Sequence, residues 1–338
     1  MENENQTNIA PEEQRVNAEN QPKVNYLISA SIVISSVILA GTWIYTTGAS
    51  VATLGSIRTA TSQASASVSG IEESVLPSAG VELPVVWGDL GQQMVRAGVI
   101  DKDKFEALYV SKGSYISEYK SLLLGKNNGK LKITRENSGY LLNLLWALGL
   151  GNKNVILEKG EMMNPGYGGA QNFASTGGWT IAQGNPMDHY SHHEFVTLTP
   201  EQQALVEKVA KGVYRPCCGN STLFPDCNHG MAMLGLLELM ASQGANEQAL
   251  WSTALTVNSY WFPNNYLAVA TYMKSKGIEW KDINPKEILG SEYSSIQGNT
   301  KISSQISAPQ SSQSGGGCSV GSSAPVPQVK QQASGCGV

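Results

Sequence analysis

The chain has 338 residues, of which 41% are hydrophobic, and a formal net charge of −4. That hydrophobic content is enough to build a folded core, so a wholly disordered chain is excluded. The mildly acidic balance, without a basic patch interleaved with aromatic residues, argues against a nucleic-acid partner. The length accommodates a membrane anchor, one domain of ordinary size and terminal segments.

An uncharged apolar segment, residues 26–46, follows a polar N-terminal segment, residues 1–25. About 20 apolar residues span a bilayer as a helix, and Tyr26, Trp43 and Tyr45 stand near its ends, as aromatic belt residues do. A cleaved signal peptide is the alternative, but its apolar region is usually about 7–15 residues long and its leader is basic. The long, acid-rich leader therefore favours an uncleaved, single transmembrane helix.

The orientation of this anchor follows from the basic residues beside it. Arg15 and Lys23 precede the apolar segment, and Arg58 follows it. Since cytoplasmic flanks carry the excess of Lys and Arg, the N-terminus is expected inside. The protein is thus predicted to lie in the cell membrane as a single-pass protein with an extracytoplasmic C-terminal domain, where cysteine pairs can be oxidised.

The rest of the chain divides by composition into three parts. Residues 47–80 are rich in Ser, Ala and Thr and predict a stalk, whereas residues 81–297 carry the periodic apolar patterns of a folded domain. Residues 298–338 are rich in Ser, Gln and Gly, a composition typical of a disordered tail, and contain Cys318 and Cys336.

The first helical patterns of the domain begin at capping residues. Asp101 is a candidate N-cap for a helix over residues 102–109, and Thr134 for a second helix that should stop at Gly149 and Gly151. The apolar face predicted for the second helix consists of Tyr140, Leu141, Leu144, Leu145 and Leu148.

The second half of the domain also has a helical pattern. Thr199 and Pro200 combine an N-cap with a proline at the first helical position. We find no convincing alternation of the strand type, so the predicted fold class is mainly α. The remaining helices are predicted at about residues 200–212, 229–242, 245–260 and 264–276.

A long irregular segment, residues 152–198, separates the two helical halves, with one or two short strands expected within it. It is rich in Gly, Asn and Pro and contains the run Asp188 to Glu194, with His189, His192 and His193. Loops of this length in compact domains are usually functional or disordered, and the histidines favour function.

All four histidines and three of the five cysteines fall within residues 186–229. Imidazole and thiolate are the side chains that bind borderline and soft metal ions, so their co-occurrence predicts a metal site. The spacing is not that of a zinc finger, and Zn(II) or Cu(I) is the expected ion. The candidate ligands are His189, His192, His193, Cys217, Cys218, Cys227 and His229.

The second part of this cluster has the more defined setting. Cys227 directly precedes a predicted buried helix, whose N-terminal N–H groups should lower the pKa of its thiol. Cys227 and His229 can aim at one point, and either Cys217 or Cys218 would then complete a three-ligand set. A histidine of the first cluster is the expected fourth ligand.

These observations predict a surface protein that captures, buffers or relays a soft or borderline metal ion. Thiols on a disordered tether have a high effective concentration at their own domain, so Cys318 and Cys336 are candidates for handing an ion over. The expected partners are the membrane, the metal ion and a second metal or thiol carrier.

Two other functions fit the same cysteines. The first is a disulfide-stapled cell-surface binding module, in which Cys217 pairs with Cys218, or one of them pairs with Cys227. This alternative leaves the histidines unexplained.

The second alternative is a hydrolase or acyltransferase with Cys227 as its nucleophile. The run from Asp226 to Gly230 resembles the catalytic turn of papain-like peptidoglycan peptidases and their permuted acyltransferase relatives over about five residues. The resemblance implies a cysteine at a helix N-terminus paired with an earlier histidine, here His189, His192 or His193. The strand setting of that family histidine is missing here, so the sequence leaves open whether the protein is an enzyme.

Overall fold

The computed structural model describes residues 70–110 and 117–306. This part of the chain is mainly helical, as the apolar periodicities predicted. Among these residues, no helix is both long enough and apolar enough to cross a membrane. The predicted polar N-terminal segment, the anchor, most of the stalk and the tail cysteines lie outside the described residues.

A two-stranded antiparallel ribbon opens the fold, with β1 at Val81–Gly88 and β2 at Asn128–Ile133. The sequence shows no convincing strand alternation, so this ribbon was not predicted. Alternate β1 side chains enter the core, but the outward-facing Pro84 and Val86 hide that alternation in the sequence. The register shifts between Glu82 and Val86, where the proline interrupts the ladder. The inward residues are Leu83, Val85 and Trp87.

Helices supply most of the core. The first half of the fold contains α1 Leu90–Ala97, α2 Lys102–Val110, α3 Ser117–Leu124, α4 Ser138–Gly151 and α5 Val155–Lys159. The second half contains α6 Pro200–Gly212, α7 Asn228–Ser242, α8 Glu247–Trp261, α9 Pro263–Ser275, α10 Pro285–Ile288, α11 Ser291–Ser294 and α12 Ile296–Gln305.

Helices α4 and α7 form the centre of the core. Both are buried on nearly every side, which explains why their sequences are apolar almost throughout. They approach closely because Gly149 faces Gly235 across the interface: a side chain at Gly149 would overlap the carbonyl oxygen of Met231, and one at Gly235 would lie 2.5 Å from that of Leu145. Gly149 therefore lies inside α4 as a packing residue and does not end it.

The predicted helix caps had different outcomes. Thr199 forms a full capping box with Gln202 at the start of α6, which confirms that prediction. Thr134 does not cap α4, because the helix begins four residues later, after Asn137. Instead, Thr134 and Asn137 exchange hydrogen bonds between their side chains and backbone N–H groups (2.8 and 3.2 Å), which closes the turn before the helix.

The folded region extends beyond the predicted bounds of 81–297. Residues 70–75, expected in the stalk, are helical, and Val75 and Leu76 are buried. At the other end, α12 runs through residues expected in the tail and buries Ile302. Residues 152–198 are mostly irregular, as predicted, with short 3₁₀ turns and α5. In place of the short strands expected there, the structure has one isolated backbone bridge, between Asn152 and His193.

Candidate metal centre

The three cysteines of the described residues belong to the connection between α6 and α7, residues 213–227. This connection folds back on itself through a backbone bridge between Tyr214 and Ser221, and Thr222 donates its N–H to the carbonyl of Val213 (2.8 Å). Because the chain folds back, the end of the connection lies beside its turn. Cys217 and Cys218, at the turn, thereby meet Cys227, at the end of the connection.

Cys227 is the N-cap of α7. Its backbone is extended (φ −120°, ψ 164°), and its sulfur accepts the N–H of Gly230 at 3.4 Å. Capping positions usually hold Ser, Thr, Asp or Asn, because a side-chain acceptor satisfies one of the free N–H groups of the first turn. Here a sulfur takes that role, as the position of Cys227 before an apolar helix predicted.

The three sulfur atoms form a compact triangle. Sγ of Cys218 lies 3.3 Å from Sγ of Cys217 and 3.3 Å from Sγ of Cys227, and the third edge, between Cys217 and Cys227, is 3.8 Å. All three cysteines are free, and these separations exceed the roughly 2.0 Å of a disulfide bond. Together they form a group of potential metal ligands whose atoms all lie within 4.8 Å of one another.

A buried arginine stands beside this triangle. The Arg215 side chain is 1% exposed, and its Nε donates a hydrogen bond to Sγ of Cys227 at 3.0 Å. Its Nη2 forms an ion pair with Asp226 at 2.7 Å and also donates to Asn220 and to the carbonyl of Phe224. One guanidinium thus connects the cysteine cluster to three points of the loop.

Asn220 and Asp226 complete the network under the cysteines. The Asn220 amide donates to the second carboxylate oxygen of Asp226 at 2.8 Å. The backbone carbonyl of Asp226 accepts the N–H of Ser175 at 3.1 Å, which ties the loop to the irregular segment. Both charges of the loop are therefore paired and hydrogen-bonded, as charges withdrawn from water must be.

The three thiols have different proton affinities because of these contacts. Hydrogen bonds from Cys217 and then Cys218, together with the charge of Arg215, hold the pKa of Cys227 well below its usual value, and burial opposes the shift only in part. His229 also contributes to lowering this pKa. Cys227 is therefore the one of the three thiols that most readily forms a thiolate.

The other two thiols keep their protons. Hydrogen bonding with Cys218, then with Cys227, raises the pKa of Cys217. For Cys218, the hydrogen bond with Cys217 lowers the pKa, but the bond it donates to Cys227, burial and the Cys227 charge raise it to about 12. Cys217 and Cys218 thus hold their protons more tightly than Cys227 does, and a bound cation would displace those protons.

His229 lies in the first turn of α7, with its ring packed against two aromatic side chains. The ring centroids are 4.4 Å from Phe262 and 5.8 Å from Trp261. The His229 side chain forms a hydrogen bond with Cys227 that lowers the pKa of this thiol, but His229 is not a member of the 4.8 Å ligand group.

The three remaining candidate ligands occupy another part of the structure. Nδ1 of His189 lies 3.0 Å from Nε2 of His193, and Nε2 of His189 lies 2.9 Å from the carbonyl of Gln183. The backbone of His193 bonds to Gly151 and Lys153, at the end of α4. His192 is exposed, with its ring edge-on to that of His193.

The histidines of this loop therefore contact one another and not the cysteines. Burial, followed by the charges of His189 and His192, lowers the pKa of His193, so this ring favours its neutral form. None of the three joins the sulfur group within 4.8 Å. Of the seven candidate ligands, the structure brings together Cys217, Cys218 and Cys227.

Sequence reasoning missed Arg215 altogether. A signal was present, because Arg215 is the only Lys or Arg between Lys211 and the end of α7 and directly precedes Pro216 and the first cysteine. A single Arg next to clustered cysteines is the residue that would stabilise a thiolate. Its burial, however, depends on the fold-back of the loop, which the sequence does not reveal.

Comparison of the chain with protein-family models, with curated proteins and with solved structures gave no match. The chemistry of the cysteine cluster is thus the basis for inferring a function.

Proposed function

We propose that this protein captures, buffers or passes on a soft or borderline metal ion, such as Zn(II) or Cu(I), on the outer side of a membrane. The ion would bind to Cys217, Cys218 and Cys227. The observation that carries the proposal is the convergence of these three free sulfurs within 4.8 Å of one another. Thiolates are the ligands that soft ions select.

The spacing of the sulfurs supports one bound ion. Four-coordinate zinc with bonds of about 2.3 Å places its sulfur ligands ~3.8 Å apart. The longest edge, between Cys217 and Cys227, has this length, and the two edges at Cys218 are shorter, at 3.3 Å. An ion would therefore need only sub-ångström shifts of the side chains.

Two further features favour reversible exchange of the ion. Cys217 is exposed to solvent, so an incoming carrier can reach one ligand first. The Cys227 sulfur is fixed by Arg215 and by the first turn of α7, which pre-organises the ligand that would be released last. A site open at one ligand and rigid at another suits capture and transfer.

Metal analysis of the full chain, purified under reducing conditions, tests this proposal. We expect one Zn(II) or Cu(I) per chain, lost when Cys217, Cys218 and Cys227 are all changed to Ser. The matched control is the double change Cys318→Ser and Cys336→Ser, which removes two thiols outside the cluster and should preserve the equilibrium affinity. Unchanged metal content in the triple variant would contradict the proposal.

A cysteine nucleophile is the second candidate function, favoured by one observation. The low pKa of Cys227 beside Arg215 is that of a reactive thiolate. The loop histidines, which the resemblance to papain-like enzymes implies as its base, contact one another instead. Loss of a hydrolase or acyltransferase activity in Cys227→Ser, with metal content unchanged, would favour the nucleophile over the metal site.

A further inference from the structure

Within the part of the chain that the structure describes, three side chains converge as ligands at the cysteine triangle. Among the described residues, no His, Asp or Glu side chain joins the three sulfurs within 4.8 Å. The nearest charged groups are already used, since Asp226 pairs with Arg215 at 2.7 Å and accepts from Asn220 at 2.8 Å. These three sulfurs therefore complete the coordination of an ion that needs three ligands, whereas zinc would need a water or another ligand in a fourth position.

The size of the triangle narrows the class of ion further. At a metal–sulfur bond of about 2.3 Å, a planar three-coordinate ion spreads its sulfurs ~4.0 Å apart, and a tetrahedral ion ~3.8 Å apart. In an ion that carries a lone pair, the angles between the three bonds are close to right angles. At the same bond length, the distance between the sulfurs is then ~3.3 Å. Two of the three edges, both at Cys218, are 3.3 Å and match this pyramidal ion, whereas the third edge, between Cys217 and Cys227, is 3.8 Å.

The charge of the site also favours an ion that is trivalent and carries a lone pair. Three bound thiolates carry three negative charges, and the one guanidinium beside them, Arg215, is neutralised by Asp226. A trivalent ion leaves the cluster neutral, a divalent ion leaves one negative charge and a monovalent ion leaves two. Because uncompensated charge is costly where side chains are partly buried, as at Cys218 and Cys227, the trivalent ion is favoured.

We propose that the Cys217, Cys218 and Cys227 triangle binds a trivalent, lone-pair-bearing ion in a three-sulfur pyramid, with arsenite as the representative ligand. This inference rests on the proposed function and names the class of ion that the site takes. The side of the ion away from the sulfurs carries the lone pair, so it requires no fourth protein ligand.

The binding step is a ligand exchange without oxidation or reduction. Arsenous acid has three As–OH bonds, and each is replaced by an As–S bond to one cysteine. Two departing hydroxides leave as water with the protons of Cys217 and Cys218, and the third takes a proton from solvent, because Cys227 reacts as its thiolate. Two thiols, one thiolate, one proton and one arsenous acid thus give one arsenic trithiolate and three waters. Arsenic stays trivalent throughout.

The test is a titration of the full chain with sodium arsenite, in a phosphine reductant that contributes no thiol. We expect one arsenite per chain, three As–S bonds in X-ray absorption spectra, and displacement of bound Zn(II) at an affinity at least ~10-fold higher. Each single change of Cys217, Cys218 or Cys227 to Ser should weaken arsenite binding by at least ~10–100-fold. Losing a residue that only supports a metal ligand typically costs that much affinity, and each of these cysteines would be a direct ligand. The Cys318→Ser, Cys336→Ser variant should keep the one-to-one stoichiometry.

Binding measurements on the unaltered chain test the arsenite proposal even if a serine variant fails to fold. If arsenite does not bind, binds through two sulfurs, or is displaced by equimolar Zn(II), the trivalent class is wrong, and Zn(II) or Cu(I) bound at the same cysteines would leave the proposed function intact. If arsenite, Zn(II) and Cu(I) all fail to bind, both proposals are wrong.

Discussion

Arg215 is a residue that shapes the cysteine site although only the neighbouring cysteines could be recognised from the sequence. Its guanidinium is buried, pairs with Asp226 and donates to the sulfur of Cys227. The sequence identified the cysteines because their ligand chemistry is visible in their identity. It did not identify Arg215, because an arginine becomes a partner of a thiolate only when the chain folds back to enclose it.

Replacing Arg215 should therefore affect both stability and the cysteines. We expect Arg215→Met to lower the free energy of unfolding by about 3 kcal/mol, at the low end for a broken buried ion pair because Asp226 is partly exposed. The pKa of Cys227 should rise, since one cause of its depression is lost. Denaturant unfolding and the pH dependence of thiolate absorbance measure the two effects.

The matched control for this change is Arg135→Met. Arg135 also forms a short ion pair, with Glu72 at 2.6 Å, but both side chains are exposed by more than two fifths. Such a pair contributes less than about 1 kcal/mol. Equal effects of the two substitutions would show that burial gives Arg215 no special role.

Glu238 is a second residue whose burial has a measurable consequence. It lies in the middle of α7, fully buried, and accepts a hydrogen bond from Asn152 at 3.0 Å. Burial raises its pKa well above the usual value, although hydrogen bonds with Asn152 and Asn154 lower it in part. The folded protein thus holds a proton on Glu238 that the unfolded chain releases near pH 4.3.

The sign of the pH dependence follows from this proton. Between the unfolded pKa and the raised folded pKa, the native state binds more protons than the unfolded state, so stability falls as pH rises through that window. We expect Glu238→Gln to remove this fall, so that the variant gains stability relative to the parent as pH increases above about 4.3. Denaturant unfolding at several pH values measures the difference, and Glu292→Gln, at an exposed site, should leave the slope unchanged.

At the scale of elements, the apolar pattern predicted which segments are helical more accurately than it predicted where those helices begin and end. The face of Tyr140, Leu144 and Leu148 is buried as predicted, because apolar periodicity directly reflects which side of a helix meets the core. Gly149 was interpreted as a stop, but it allows α4 to approach α7. The difference cannot be seen in one helix alone, since it depends on the helix that packs against it.

Two glycine substitutions in these helices should have opposite effects on stability, because one glycine lies at the contact between the helices and the other does not. A methyl group at Gly235 would press on the backbone of Leu145 and Gly149, so Gly235→Ala should destabilise the fold by about 1–3 kcal/mol. Gly139→Ala, in an open position of α4, should stabilise by about 0.4–1 kcal/mol, because alanine restricts the unfolded chain. Thermal unfolding of the two variants distinguishes these outcomes. A stable Gly235→Ala protein would mean that the helices can separate at little cost.

At the scale of the whole molecule, the cysteine loop is connected to distant parts of the fold. The carbonyl of Cys218 accepts the N–H of Ile296 at 2.9 Å, which joins the loop to the start of α12. Tyr214 donates its N–H to Leu289 at 2.8 Å, and its carbonyl accepts from Asn258 at 3.0 Å. Three helical elements from the last third of the described chain thus hold the loop in place. None of these contacts follows from local sequence, so the sequence predicted that Cys217, Cys218 and Cys227 converge without revealing the contacts that hold them together.

Because the loop is tied to the fold in this way, ion binding should stabilise the protein as a whole. A ligand that binds only the native state at 100 times its dissociation constant adds about 2.7 kcal/mol. For a folded region of this size, each kcal/mol raises the melting temperature by about 2–4 °C, so saturating Zn(II) or arsenite should raise it by roughly 5–10 °C. Calorimetry of the full chain with and without the ion measures the shift, and the Cys217, Cys218, Cys227 to Ser variant should show none. A shift of the same size in that variant would place the bound ion elsewhere, because the substituted loop no longer offers any thiolate to hold it.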